Sequence, residues 1–233
     1  MRPTKRHFLE KSAELAHSAE NKTLEGLPEY DKMLYLLSRH KKDLSDILST
    51  ERKAEFKKQI LPDYLPWIEG ALSKGTGKQD NVLMMWLVWA IDCAEYHLAL
   101  EIANYAIFHD LRMPDGFTRT VPMLVAEEFA DAAKIAKATN QPFNVGYLQQ
   151  AEQLIRDVDI LDESRARLLK ELGLALIDIS PETALAHLEK AFSLNMNIGV
   201  KTDIKKLRKQ LGKSDENADE ENAETDNDEV KHT

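Results

Sequence analysis

Residues 71–80, ALSKGTGKQD, pair two glycines with two lysines, the raw material of a phosphate-binding loop. Such a loop reads G-x-x-x-x-G-K-[ST], because its backbone N–H groups wrap the phosphates, its Lys neutralises them and its hydroxyl holds magnesium. With Gly77 and Lys78 as the G-K pair, Leu72 stands where the first glycine belongs and Gln79 where the hydroxyl belongs. The preceding YLPWIEGAL reads as a helix, whereas a phosphate loop is fed by a buried strand. The stretch is therefore expected to be a helix-to-helix turn, with Gly75 and Gly77 as stop signals and Asp80 capping the next helix.

Other groupings capable of chemistry fall short of a catalytic pattern. The seven histidines are scattered, with no H-x-x-x-H, and there is one cysteine, so no zinc site is expected. His97, Asn104 and His109 have the composition of an HNH nuclease but sit on a predicted helix, without strands to aim them at a phosphate. A metal-dependent nuclease needs two or three carboxylates converging on Mg²⁺. Asp46 with Glu55-Phe56-Lys57 has the right residue types, yet all are expected on one helix and not across adjacent strands, and the neighbours Glu127 and Glu128 point in different directions. No catalytic residue and no cofactor can be assigned from the residues alone.

Cationic residues offer a different chemistry, neutralisation of phosphates. Arg39, Lys41 and Lys42 lead into Arg52, Lys53, Lys57 and Lys58, with Lys53 and Lys57 at the i, i+4 spacing that shares a helix face. The competing reading is a solvated helix in which Glu51 and Glu55 partner the lysines. Arg112 and Arg119 flank a Pro/Gly loop carrying Thr118 and Thr120, a second candidate. Trp67, Trp86 and Trp89 read as core and not as a stacking platform for bases.

The elements that must position these groups are helical throughout. Apolar positions recur at i, i+3, i+4 and i+7, and no useful stretch alternates with period two. Helices are expected at 3–20, 30–38 and 43–60. A fresh start follows at Pro62 and Pro66, then a strongly apolar helix from Asp80, its partner over 96–111, and others from Pro122, over 144–157 and 162–178, from Pro181 and over 199–211. Two helical hairpins, one formed by 80–111 and one by 168–195, carry small or apolar residues at matching places, Ala99, Ala103, Ala106 and Ala184, Leu188, Ala191. With Leu172-Gly173 these suggest tetratricopeptide-like hairpins within an irregular all-α domain.

At 233 residues with a formal charge of −9, the chain can bury a substantial core. Its acidity is uneven. Residues 213–233 hold nine Asp/Glu against two Lys, too polar to fold, so a disordered acidic tail is expected, whereas residues 1–61 carry an excess of three cations. Cys93 lies in an apolar run and is expected to be buried, in a reducing compartment. The longest apolar run, 82–91, is half the length of a membrane span. The expected division is a basic N-terminal helix and linker (1–25), a helical domain (26–212) and the acidic tail (213–233).

Several ordered blocks carry a resemblance. The stretch LPDYLPWIEGALSKGTGKQDNVLMMWLVWAIDCAEYHLALEIANYAIFHDLRMP, then RTVPMLVAEEFADAA, then ALAHLEKAFSLNMNIGVKTDIKKL, is similar to the small terminase subunit of temperate, contractile-tailed phages, over residues 26–212. The resemblance implies packaging of double-stranded DNA in the bacterial host cytoplasm, alongside a large subunit that carries the ATPase, and a homo-oligomer. Members are also described as the endonuclease subunit, which would imply Mg²⁺. No family motif transfers a catalytic residue to this sequence. DNA contact is then expected at Lys41, Lys42, Arg52, Lys53, Lys57, Lys58, Lys74, Lys78, Arg112 and Arg119. Relatives can end in basic tails, while this one is acidic and suited to a basic partner or to mimicry of DNA charge. A nuclease in its own right and a protein-binding adaptor without DNA contact remain open alternatives.

Overall fold

The computed structural model of the chain describes residues 3–18 and 26–213, and among them every regular element is an α-helix. In order these are α1 (Pro3–Ser18), α2 (Pro28–Asp46), α3 (Thr50–Lys74), α4 (Asn81–Asp92), α5 (Tyr96–Phe108), α6 (Val121–Ala138), α7 (Val145–Ile155), α8 (Asp162–Leu176), α9 (Pro181–Leu194) and α10 (Lys201–Gln210). The expected acidic tail, from residue 214, and residues 19–25 of the expected linker lie outside the described residues.

An apolar circumference forces α4 to the centre, since nine of its twelve residues are buried. Its Trp86 packs against Tyr64 of α3 and Trp89 of its own helix, with ring centroids 4.9 Å and 5.3 Å apart. Both expected hairpins form. In α4–α5, Ala99, Ala103 and Ala106 are fully buried, so the helices approach closely. In α8–α9, Gly173 does the same work: a Cβ there would lie 2.7 Å from Leu188 Cγ. Helices α6 and α7 bridge the hairpins through an aromatic cluster in which Tyr96 meets Phe129, Phe143 and Tyr147 at 5.3–5.5 Å.

The expected break at Pro62 and Pro66 does not occur, because α3 runs unbroken through both prolines. Each proline removes a helix N–H, at a cost of roughly 3 kcal/mol. Burial on both sides of them, by Ile60, Tyr64, Trp67, Ile68 and Ala71, outweighs that loss. Residues 39–42, expected to separate two helices, are likewise helical, because Leu37 and Leu44 continue one buried stripe of α2, and the break falls instead at 47–49, inside the helix expected over 43–60. The 96–111 helix ends at Phe108, and residues 109–111 turn away.

Turn 75–80 fastens four helices. Asp80 caps α4 as expected, its Oδ1 accepting from the N–H groups of Val82 and Leu83 at 2.9 and 3.0 Å. Its Oδ2 accepts from Trp67 Nε1 of α3 at 2.8 Å and lies 3.1 Å from Nε2 of His17 in α1. Lys78 donates to the Ala16 carbonyl at 2.8 Å and Thr76 to that of His17 at 2.6 Å, so the end of α1 is held by side chains of the turn. The Gly77 N–H donates to the Tyr105 hydroxyl of α5 at 3.0 Å, and its φ of 78° suits glycine.

Helix α1 lies along α3 at a crossing where only glycine fits. A Cβ on Gly70 would sit 2.5 Å from the Glu10 carbonyl oxygen and 2.7 Å from Ala13 Cβ. Gly70→Ala should therefore destabilise the protein, because overpacking of about 1–3 kcal/mol exceeds the roughly 1 kcal/mol that alanine gains in helix propensity. Hydrogen exchange should show α1 losing protection first; unchanged α1 protection would contradict the close crossing. Asp80→Ala strips the acceptor from four buried partners and should cost about 3–5 kcal/mol in urea denaturation.

Candidate nucleic-acid interface

The strongest candidate from sequence is the corner where α2 hands over to α3. Residues 47–49 join the two helices, and Ser49 caps α3 by accepting from the Arg52 N–H at 3.3 Å. Lys41, Lys42, Arg52 and Lys58 are exposed here and Lys53 is half-buried. These cations are brought to one corner of the molecule by a three-residue link.

Lys57 does not join them. Its side chain is turned inward, and its ammonium is ion-paired to Asp92 at the end of α4. The shared face expected of Lys53 and Lys57 is thus divided by packing. Lys78 is buried as well, with its ammonium on the Ala16 carbonyl, while Lys74 stays exposed at the outer margin of the same turn, 4.0 Å from Glu14. Nearby, His40 Nδ1 lies 2.8 Å from the Tyr64 hydroxyl; burial lowers the pKa of this imidazole and raises that of the Tyr64 phenol.

The loop after α5 divides in the same way. The exposed Arg112 is fixed at its backbone by Gln79, whose amide accepts from the Arg112 N–H at 2.9 Å and donates to its carbonyl at 2.8 Å. Arg119 is half-buried and committed, 3.1 Å from Glu127 and 2.7 Å from Glu128. Desolvation works against its charge, and the hydrogen bonds to Glu128 and Glu127 overcome that and raise its pKa. Glu127 also accepts from the Ser164 hydroxyl at 2.7 Å, tying the loop to α8. Between Arg112 and Arg119 lies an open cleft of about 360 Å³, lined also by Thr118 and Thr120.

The densest positive surface is one that the sequence reading passed over. Helix α10, KTDIKKLRKQ, carries five cations against a single Asp203 in ten residues. Ile204 and Leu207 are buried toward α9, which turns Lys201, Lys205, Lys206 and Lys209 outward. Arg208, at the margin of that face, holds Glu189 of α9 at 2.8 Å. The signal was a run of like charges, hidden because residues 62–212 sum to an excess of acids.

Burial separates structural lysines from available ones. Lys57→Ala should lower stability by about 1–2 kcal/mol through the lost packing of its buried stem, since the exposed Asp92 is left to water, whereas Lys58→Ala should stay within about 0.5 kcal/mol. Denaturant titration of the two variants checks this, and equal effects would contradict the inward placement of Lys57.

Chemically, exposed cations of this kind can hold a polyanion by its backbone. Among the described residues no three His, Cys, Asp or Glu side chains are grouped to hold a metal ion. Among them, too, no helix is long and apolar enough to cross a membrane. Burial raises the pKa of the Cys93 thiol, and this side chain lies in the core as expected.

Residues 34–163 match the family model described as phage small terminase subunit. The chain is 38% identical over 210 residues to the terminase endonuclease subunit of Escherichia phage P2, covering 90% of this chain and 85% of that protein. It is 26% identical over 175 residues to the probable terminase endonuclease subunit of Haemophilus phage HP1, covering 68% of this chain and 62% of that one. No solved structure matches it. The matched span takes in both the α2–α3 corner and the 112–120 loop and stops before most of α8. With over half its length inside that model and a 38% identical relative covering nine-tenths of it, the chain belongs to the phage small terminase subunit family.

Proposed function

We propose that this chain is the DNA-binding subunit of a phage terminase, which grips viral double-stranded DNA by its phosphates and delivers it to a large ATPase subunit for cutting and packaging. Family membership supports the packaging role. A single observation favours phosphate contact as the means: α10 turns four lysines to solvent with no carboxylate partner for any of them among the described residues. Lys41, Lys42, Arg52, Lys53 and Lys58 at the α2–α3 corner, with Lys74 and Arg112 on the turn and loop beside α4 and α5, extend the same chemistry. Lys57, Lys78 and Arg119 act in this scheme by shaping the surface, since their charges are used inside the fold.

Each phosphate contact releases condensed counterions, so binding of this kind is weak per site, salt-sensitive and indifferent to sequence. A homo-oligomer, working in the host cytoplasm, would repeat the patches and add their contacts by multivalency. Cutting is assigned to the complex with the large subunit. The word endonuclease stands in the relatives' names.

Replacing Lys205, Lys206 and Lys209 together by Ala should leave the fold intact and reduce the slope of log K against log salt by about 2–3 for DNA binding. The same substitution of Lys41, Lys42 and Lys58 should act in the same direction. Gel-shift titrations on packaging-site and unrelated DNA across a salt series measure both; unchanged slopes in both variants would remove phosphate neutralisation as the mechanism.

A further inference from the structure

Helix α10 is the last described element, and the most acidic stretch of the chain follows it in sequence. The helix is anchored by Ile204 and Leu207, and two of its cations have neighbours: Arg208 on Glu189, and Lys201 with its ammonium 5.4 Å over the Phe192 ring. Lys205, Lys206, Lys209 and the following Lys213 are exposed. From residue 214 the sequence continues for twenty residues with nine Asp/Glu and a single Lys.

We propose that the acidic segment 214–233 docks on the lysine face of α10 in its own chain and competes there with DNA phosphate. Reach is ample, because twenty extended residues span up to roughly 66 Å, whereas a ten-residue helix is about 15 Å long. Tethering without an intervening linker holds the acids at an effective concentration on the order of millimolar, enough to occupy a site too weak for a free peptide. The α2–α3 corner is the poorer host, since Asp43, Asp46, Glu51 and Glu55 dilute its cations, while α10 has Asp203 alone. The docked segment screens the lysines from isolated stretches of DNA and yields where many subunits engage one duplex together. Docking itself stands apart from the proposed function; its competition with DNA rests on it.

The test uses the full chain and a variant in which all nine tail acids become Asn or Gln. Without DNA, acylation of Lys205, Lys206 and Lys209, followed by mass spectrometry, should be several-fold faster in the neutral-tail variant, with Lys41 as an unchanged internal reference. Salt at about 0.5 M should bring the full chain to the same rate, as screening predicts. Equal rates at low salt would overturn docking, and protection that grows with protein concentration would assign the acids to a second copy and overturn the intramolecular form. With DNA at about 50 mM salt, the neutral tail should bind about tenfold tighter, a gain that disappears in a Lys205, Lys206, Lys209 to Ala background. A gain that persists there reflects overall charge and overturns competition at α10. Protected lysines with no DNA binding in any variant would retain docking and reject the proposed function; DNA binding indifferent to the tail, with equal acylation, would do the reverse.

Discussion

The carboxylate of Asp80 is enclosed by protein and bound on both oxygens, and the arrangement of the N-terminal half follows from that constraint. A buried carboxylate is tolerated only when its lone pairs are filled. Two donors come from the start of α4, one from Trp67 on α3, and the fourth contact from His17 on α1. Helix α1, distant in sequence, is thereby locked to the turn that joins α3 to α4. Tyr30 of α2 closes the set, its ring stacked on Trp67 at 5.8 Å and its hydroxyl accepting from the Asn81 N–H at 2.9 Å.

With α1 to α4 held there, the rest of the molecule grows by hairpin addition. The α4–α5 pair presents Tyr96 to α6 and α7, and α6 passes the packing on to α8 through Glu127–Ser164 and Asp131–Arg167. Arg165 secures the joint between α7 and α8 by donating to the carbonyls of Ile155, Arg156 and Val158. This chain of contacts delivers α10 to the far end of the helix order, attached through α9. Its charges are therefore left outside the compact core, available to a polyanion.

Electrostatics in this protein is a matter of location more than of sum. A net charge of −9 describes a molecule unsuited to DNA, yet −7 of it falls at residues 213–233, where nine Asp/Glu stand against two Lys. Screening over a Debye length of about 10 Å makes the local surface decisive for phosphate contact. Among the cations, desolvation does the sorting: Lys57, Lys78 and Arg119 are bound within the fold, and Lys41, Lys42, Arg52, Lys58 and Arg112 are left to solvent.

Sequence by itself determined the helical class, the two hairpins and the cap at Asp80, because those depend on near neighbours: a 3.6-residue apolar period, small or apolar residues at i, i+4 and i+7, and an Asp just before an apolar run. It also rejected the phosphate loop at ALSKGTGKQD, since a missing glycine and hydroxyl are local facts. The α10 patch was equally local and legible, and was masked by summing charge over too long a window. Tertiary structure alone decided the remainder. Whether Pro62 and Pro66 end a helix depends on the burial gained beyond them, and whether Lys57 faces DNA or Asp92 depends on where α4 ends. Lys78 is settled by α1 lying across the turn. In each case the competing free energies come from residues dozens of positions apart, which spacing along the chain does not encode.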